Sequence, residues 1–297
     1  MRTDVSTTAW LWLMTACFLF SAWTHADAVT NTAPGQSTDA SLDCGALVGT
    51  PVQGGLVWGK IAPGQTVTLD QTAVLTTPDG QFLLGFGRDA PATQQLVVYG
   101  EEGCQRELHV ASREYRISRV DGVPQRTVTP PPEQLERIAR EREWVRRAKA
   151  QRYERPDWLM ALQQGFAWPA RGRISGVYGS QRFYNGTPGS PHYGVDVAVP
   201  TGHPVTAPGP GVVTLAEPDL FYSGGTVILD HGYGLSSSFL HMSEVLVSVG
   251  EELATGDLLG RVGATGRATG PHLDWRMSWG AQRIDPQRLV PPMPKTP

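Results

Sequence analysis

The sequence predicts a mainly β protein: two β-rich domains joined by a charged helical connector, the C-terminal one an antiparallel β-sandwich or barrel. Three observations predict it. Glycine (34) and proline (24) together make up roughly one residue in five of the 297, a composition of turns and short strands. Short apolar runs recur between Gly- and Pro-rich breaks on both sides of the chain's middle. Between them lies one charged stretch, from Glu133 to about Arg152, with sparse apolar positions at Leu135, Ile138, Trp144 and Val145. The length also suggests two domains rather than one.

The elements follow in order. Residues 1–28 read as a signal peptide: Arg2 supplies a charge, an apolar run extends from Ala9 to Trp23, and Ala26 and Ala28 stand at cleavage-site spacing. The run is short for a bilayer crossing, so the mature protein is expected to carry no transmembrane span. Residues 29–43 are small and polar, with no apolar period, and are expected to form a disordered leader. A small β domain is expected over 44–125, from runs such as Gly55-Leu56-Val57-Trp58-Gly59 and Leu96-Val97-Val98-Tyr99, with turns at Pro63-Gly64 and Pro78-Asp79-Gly80. The connector spans 126–165; Pro130-Pro131-Pro132 breaks the chain within it and the charged stretch follows. The second β domain spans 166–290, and 291–297 form a tail. Cys44 and Cys104 survive signal removal as an even pair, either disulfide-bonded or reduced and buried.

Charge narrows the function. A net charge of −3 gives no footprint for nucleic acid, so none is expected as a partner. Lysine occurs only at 60, 149 and 295. The segments Thr206 to Val213 and Val249 to Gly260 are similar to a lipoyl or biotinyl carrier domain. No lysine lies between Lys149 and Lys295 to hold such a cofactor, so that reading is rejected.

The C-terminal half concentrates residues that do chemistry. In an extended strand, His192 and Asp196 share one face with Gly194 between them, because side chains alternate. His272 and Asp274 share a face in the same way, behind a glycine-rich approach from Gly263 to Pro271. His241 ends the apolar strand of Phe239-Leu240. His231 opens a turn and reads as a hydrogen-bonded turn histidine; His203, beside Pro204, reads as a solvated loop residue. A hydrolytic zinc site needs three protein ligands, an open position, and groups that move protons. His192, Asp196 and the 272/274 pair can supply three ligands and leave one histidine over, and His241 gives a second.

Taken together and in order, these motifs resemble the lysostaphin-like (LytM-type) zinc metallopeptidases, which cleave peptides of bacterial peptidoglycan. The resemblance covers Trp168 to Val290. It rests on His192-Tyr193-Gly194-Val195-Asp196, the Ala207-Pro208 to Val213 turn, Asp230-His231-Gly232, Phe239 to Ser243, and Gly263 to His272. It implies zinc on His192 and Asp196, with His241 and His272 as catalytic residues. The family pattern ends in His-x-His, with the second histidine as third ligand; here that position is Asp274, which can still bind zinc. A His, Asp, Asp set places two negative charges on the ion, so a weaker Lewis acid is expected. Tyr178, Tyr184 and Trp275 either line the substrate groove or pack in the core.

The expectation is an exported, periplasmic zinc metalloendopeptidase acting on peptidoglycan peptides, with His192, Asp196 and Asp274 on the metal and His241 and His272 in catalysis. The alternative, prompted by Asp274, is a catalytically degenerate wall-binding protein that regulates a peptidoglycan amidase through a protein partner. The N-terminal β domain is free in either case to dock the wall, a partner or the groove.

Overall fold

A computed structural model describes residues 44–120 and 132–294. The expected signal peptide, the polar leader and the Pro130-Pro131 break lie outside the described residues, as does the side chain of Tyr184. The fold is mainly β, as the composition predicts.

Eight short strands come first: β1 (Ala46–Val48), β2 (Leu56–Lys60), β3 (Thr66–Leu69), β4 (Thr72–Val74), β5 (Gln81–Gly85), β6 (Thr93–Tyr99), β7 (Cys104–His109) and β8 (Ile117–Val120). The first seven form a three-stranded sheet, β1-β2-β5, and a four-stranded sheet, β4-β3-β6-β7; β8 joins a separate sheet further along the chain. β3 shows why: Val67 and Leu69 are buried while Thr66 and Thr68 face outward, the alternation of a half-buried strand. Cys44 and Cys104 are disulfide-bonded and tie the start of this region to β7.

Two helices follow, α1 (Leu135–Ala150) and α2 (Pro156–Leu162). The sequence marks Leu135 and Trp144 as apolar positions of α1, but both are exposed; Ile138, Glu141 and Ala148 are the buried ones. That narrow stripe packs Ala148 and Val145 onto Leu215, Leu220 and Ile228. Glu141 is buried because it is satisfied: it accepts from Arg137 Nε at 2.6 Å and from the Phe221 backbone N–H at 2.8 Å. No described helix is long and apolar enough to cross a membrane.

The remaining strands are β9 (Arg173–Gly176), β10 (Gln181–Tyr184), β11 (Thr187–Pro188), β12 (Val195–Ala198), β13 (Pro204–Thr206), β14 (Gly211–Leu220), β15 (Gly224–Asp230), β16 (Leu235–Val245), β17 (Glu252–Leu253), β18 (Leu258–Val262), β19 (Leu273–Trp279) and β20 (Gln282–Ile284). Ten of them form one sheet whose main path runs β17-β14-β15-β16-β19-β12-β9. One face carries the core, with Val195, Val197, Val227, Leu229, Phe239, Leu273, Trp275 and Met277. The opposite face carries Asp196, Ile228, Ser236, Ser238, Asp274, Arg276 and Ser278, since directly paired residues point the same way. β15 is buried along its whole length because the core covers one face and α1 covers the other.

The N-terminal sheets are packed against this sheet. Leu83 belongs to the large core, and a Cβ on Gly85 would come within 2.6 Å of Trp279. β8 pairs in parallel with β10, and Arg113 bonds Asp285 at 2.9 Å.

Candidate metal centre

Asp196 on β12 and Asp274 on β19 are direct cross-strand partners. Two carboxylates placed so repel each other unless a cation sits between or beside them. His192 lies just ahead of β12 in a segment fixed by its own backbone: its N–H donates to Ser180 O and its carbonyl accepts from Gly179 N, both at 2.8 Å. One ligand atom from each of His192, Asp196 and Asp274 lies within 4.8 Å of the others.

Two glycines make this approach possible. A Cβ at Gly194 would come within 2.6 Å of Asp274 Oδ1, and one at Gly176 would overlap Asp196 Oδ2. His192 Nε2 and Asp196 Oδ1 are 3.1 Å apart, yet both are buried without an aligned hydrogen-bond partner. Two acceptor atoms aimed at one point, out of water, suit a shared cation. The residues therefore fit a zinc ion. Burial alone would lower the His192 pKa, but the Asp196 and Asp274 carboxylates outweigh it and raise it.

The other two histidines flank the triad. His241 and His272 have ring centroids 4.8 Å apart, and His272 Nε2 is 3.9 Å from Asp196 Oδ1. His241 Nδ1 lies 2.8 Å from Thr265 O, and His272 Nδ1 lies 2.8 Å from Gly270 O. A carbonyl only accepts, so each Nδ1 carries the proton and each Nε2 keeps its lone pair when the ring is neutral. Burial lowers the His241 pKa, favouring that neutral form. Simple alternation would send His241 into the core behind Phe239. A bulge in the β15–β16 pairing, with His241 at φ 65°, turns it out.

Residues 190–286 match the family model of Peptidase family M23. The chain carries an M23 peptidase domain. All five expected site residues fall within it. Among curated relatives, the Peptidoglycan DD-endopeptidase ShyA of Vibrio cholerae is 33% identical over 138 residues, 46% of this chain and 32% of that protein. The DD-carboxypeptidase/endopeptidase Mpg of Neisseria meningitidis is 35% identical over 104 residues, 35% of this chain and 24% of that protein. The chain thus spans about a third or less of the length of these relatives. A solved Pseudomonas aeruginosa structure assigned to peptidase M23 is 29% identical, with a TM-score of 0.64, covering 82% of this chain and 96% of that one. That likeness runs beyond the M23 domain into the N-terminal sheets.

Other sequence candidates resolve around the M23 domain's core. Trp275 and Tyr178 are buried and do not line the groove: Trp275 packs against Trp168, and Tyr178 donates its hydroxyl to Arg283 O at 2.7 Å. His231 is structural as expected. It donates from Nδ1 to Pro210 O at 2.7 Å and accepts at Nε2 from Ser237 Oγ at 2.8 Å, and burial takes its pKa down to about 4. Sequence reasoning missed Arg276, whose guanidinium grips Asp274 through both oxygens. The signal was there: 272, 274 and 276 share one face of one strand. Burial would raise the Asp274 pKa, but the Arg276 charge and hydrogen bonds hold it below the usual carboxylate value.

Proposed function

We propose that the protein is an exported, periplasmic zinc metalloendopeptidase that cleaves peptides of bacterial peptidoglycan. The single observation that carries this is the pair of buried atoms His192 Nε2 and Asp196 Oδ1, 3.1 Å apart with no aligned hydrogen bond, converging with Asp274 inside an M23 domain. The names of the M23 relatives support the substrate. The Cys44–Cys104 disulfide supports a compartment outside the cytoplasm.

His192, Asp196 and Asp274 hold the metal. A bound zinc ion supplies Lewis-acid polarisation of the scissile carbonyl and a water acidic enough to attack it near neutral pH. The chain's own histidines manage the protons. His241 and His272 present Nε2 lone pairs beside the triad, and their Nδ1 bonds to Thr265 O and Gly270 O fix ring orientation. One accepts the proton of the attacking water; the other, once protonated, donates to the developing oxyanion or to the leaving amine.

A second reading has its own observation. Arg276 already occupies both oxygens of Asp274, which favours a catalytically degenerate domain that binds the wall and regulates an amidase through a protein partner. Elemental analysis of purified protein, paired with peptide release from isolated peptidoglycan, separates the two. The enzyme reading expects near-stoichiometric zinc and release, both lost in His192→Ala. Wild type with neither zinc nor release, yet able to bind wall, moves the assignment to the regulator.

A further inference from the structure

Arg276 follows Asp274 by two residues on β19, so both side chains stand on the same face of the sheet. The guanidinium reaches back along the strand. Nη2 donates to Oδ2 at 2.5 Å, and Nε lies 3.0 Å from each oxygen. Asp274 is 2% exposed. The contact is therefore a fork-type ion pair buried at its Asp274 end and half-buried at its guanidinium, the kind that fixes both charge and orientation. Gly194 leaves room for it, since a Cβ there would lie 2.6 Å from Arg276 Cγ as well as from Asp274 Oδ1.

Charge bookkeeping gives this pair a meaning. Without Arg276, the three candidate ligands would carry one neutral imidazole and two carboxylates. The carboxylates face each other across β12 and β19. With Arg276 included, one negative charge remains. That is the charge of an open zinc site built from two histidines and one carboxylate. The sequence, counting only ligand types, leads to the expectation of a weaker Lewis acid; the guanidinium removes the reason for it.

We infer that Asp274 and Arg276 act as one neutral ligand unit, in which Asp274 offers an oxygen to the metal and Arg276 offsets its charge and holds its plane. The inference rests on the metal-site assignment proposed above. Arg276 is then a positioning residue, and its chemistry is inseparable from that of Asp274. A histidine placed at 274 alone strands a half-buried guanidinium beside a divalent cation. The two positions must change together.

The test is a double-mutant cycle on the full chain: wild type, Asp274→His, Arg276→Gln and the double variant. Zinc dissociation constants are measured by competition with a chromophoric chelator, and thermal unfolding is followed with and without zinc. Asp274→His alone is expected to bind zinc at least about tenfold more weakly than wild type, because unlike the native pair it leaves two cations unshielded. Adding Arg276→Gln should restore affinity to within about threefold of wild type. Arg276→Gln alone leaves Asp196 and Asp274 opposed, so zinc should raise its melting temperature by more than it raises that of wild type. This last readout holds even where Asp274→His folds poorly. Asp274→His binding as tightly as the double variant, or Arg276→Gln gaining no more from zinc than wild type, overturns the neutral-unit inference while leaving the metal site standing. A wild type that binds no zinc overturns both.

Discussion

Gly194→Ala is the sharpest single test of how the triad is assembled. The new Cβ would lie 2.6 Å from three atoms: Arg276 Cγ, Asp274 Oδ1 and the backbone oxygen of Trp275. Ordinary carbon contacts begin at 3.4 Å, so each approach is roughly 0.8 Å too close. Arg276 can swing aside, but the Trp275 carbonyl cannot, because it belongs to the β12–β19 pairing. β12 is also paired with β9 on its other edge and has no free side to move toward. The overlap is therefore relieved by parting the two strands that carry Asp196 and Asp274. Overpacking of this kind costs about 1–3 kcal/mol. Metal sites tolerate ligand errors of only about 0.2 Å, so the same shift should weaken zinc binding by about 10–100-fold. Urea unfolding in excess chelator measures the first quantity, and chelator competition the second. Wild-type stability together with wild-type zinc affinity would refute the claim that this glycine sets the spacing of the ligands.

Further outcomes are expected elsewhere. Arg113→Ala leaves the buried Asp285 carboxylate without its 2.9 Å partner and should lower unfolding free energy by about 2–3 kcal/mol in urea, allowing for the partial exposure of Arg113; a loss under about 0.5 kcal/mol would count against it. Reducing Cys44–Cys104 reopens a 60-residue separation and should destabilise by about 4 kcal/mol, read by denaturation with and without reductant. Burial raises the Asp230 pKa to about 6, so the folded state binds the extra proton, and Asp230 costs stability as pH rises from 3.8 through 6. His231, held down to about 4, works the other way and loses stability as pH falls from 6.5 through 4. Asp230→Asn keeps an acceptor for the Gly232 N–H but removes the first slope, so its advantage over wild type should grow by up to about 3 kcal/mol between pH 4 and 6; a pH-independent difference would sink the argument.

Much of the site was legible because strand periodicity is strict. Period two puts His272 at the head of β19 with Asp274, and the structure pairs Asp274 with Asp196 across neighbouring strands; His192, expected in one extended strand with Asp196, instead lies ahead of β12, where backbone bonds to Gly179 and Ser180 place it. The same rule extends to Arg276, two residues further along β19, the cation that two opposed carboxylates require. His241 was found by its motif, not by periodicity, since its direction depends on a left-handed bulge that alternation cannot forecast. The contacts of α1 and of the N-terminal sheets were out of reach for another reason. They join residues far apart in the chain, such as Arg137 with Asp219 and Arg113 with Asp285, and no local pattern encodes such pairs.

Those long-range contacts bear on the candidate site through its least regular member. Asp196 and Asp274 sit on strands paired on both sides, and their positions are fixed by the sheet. His192 sits on a connecting segment, and segments of that kind are the mobile parts of most proteins. Here the segment is held from outside the M23 domain. β8 adds in parallel to β10, and Arg88 donates from Nε to Gly179 O at 2.9 Å while its Nη2 meets Gln181 Oε1 at 3.3 Å. Gly179 is the residue whose N–H holds the His192 carbonyl, and its φ of 81° admits the Tyr115 ring where a side chain would otherwise stand. The N-terminal region is thus mechanically continuous with the one candidate ligand that the peptidase sheet does not itself restrain. A metal site depends on preorganised ligands as much as on their identity. On that argument the N-terminal region contributes to the candidate centre by fixing His192.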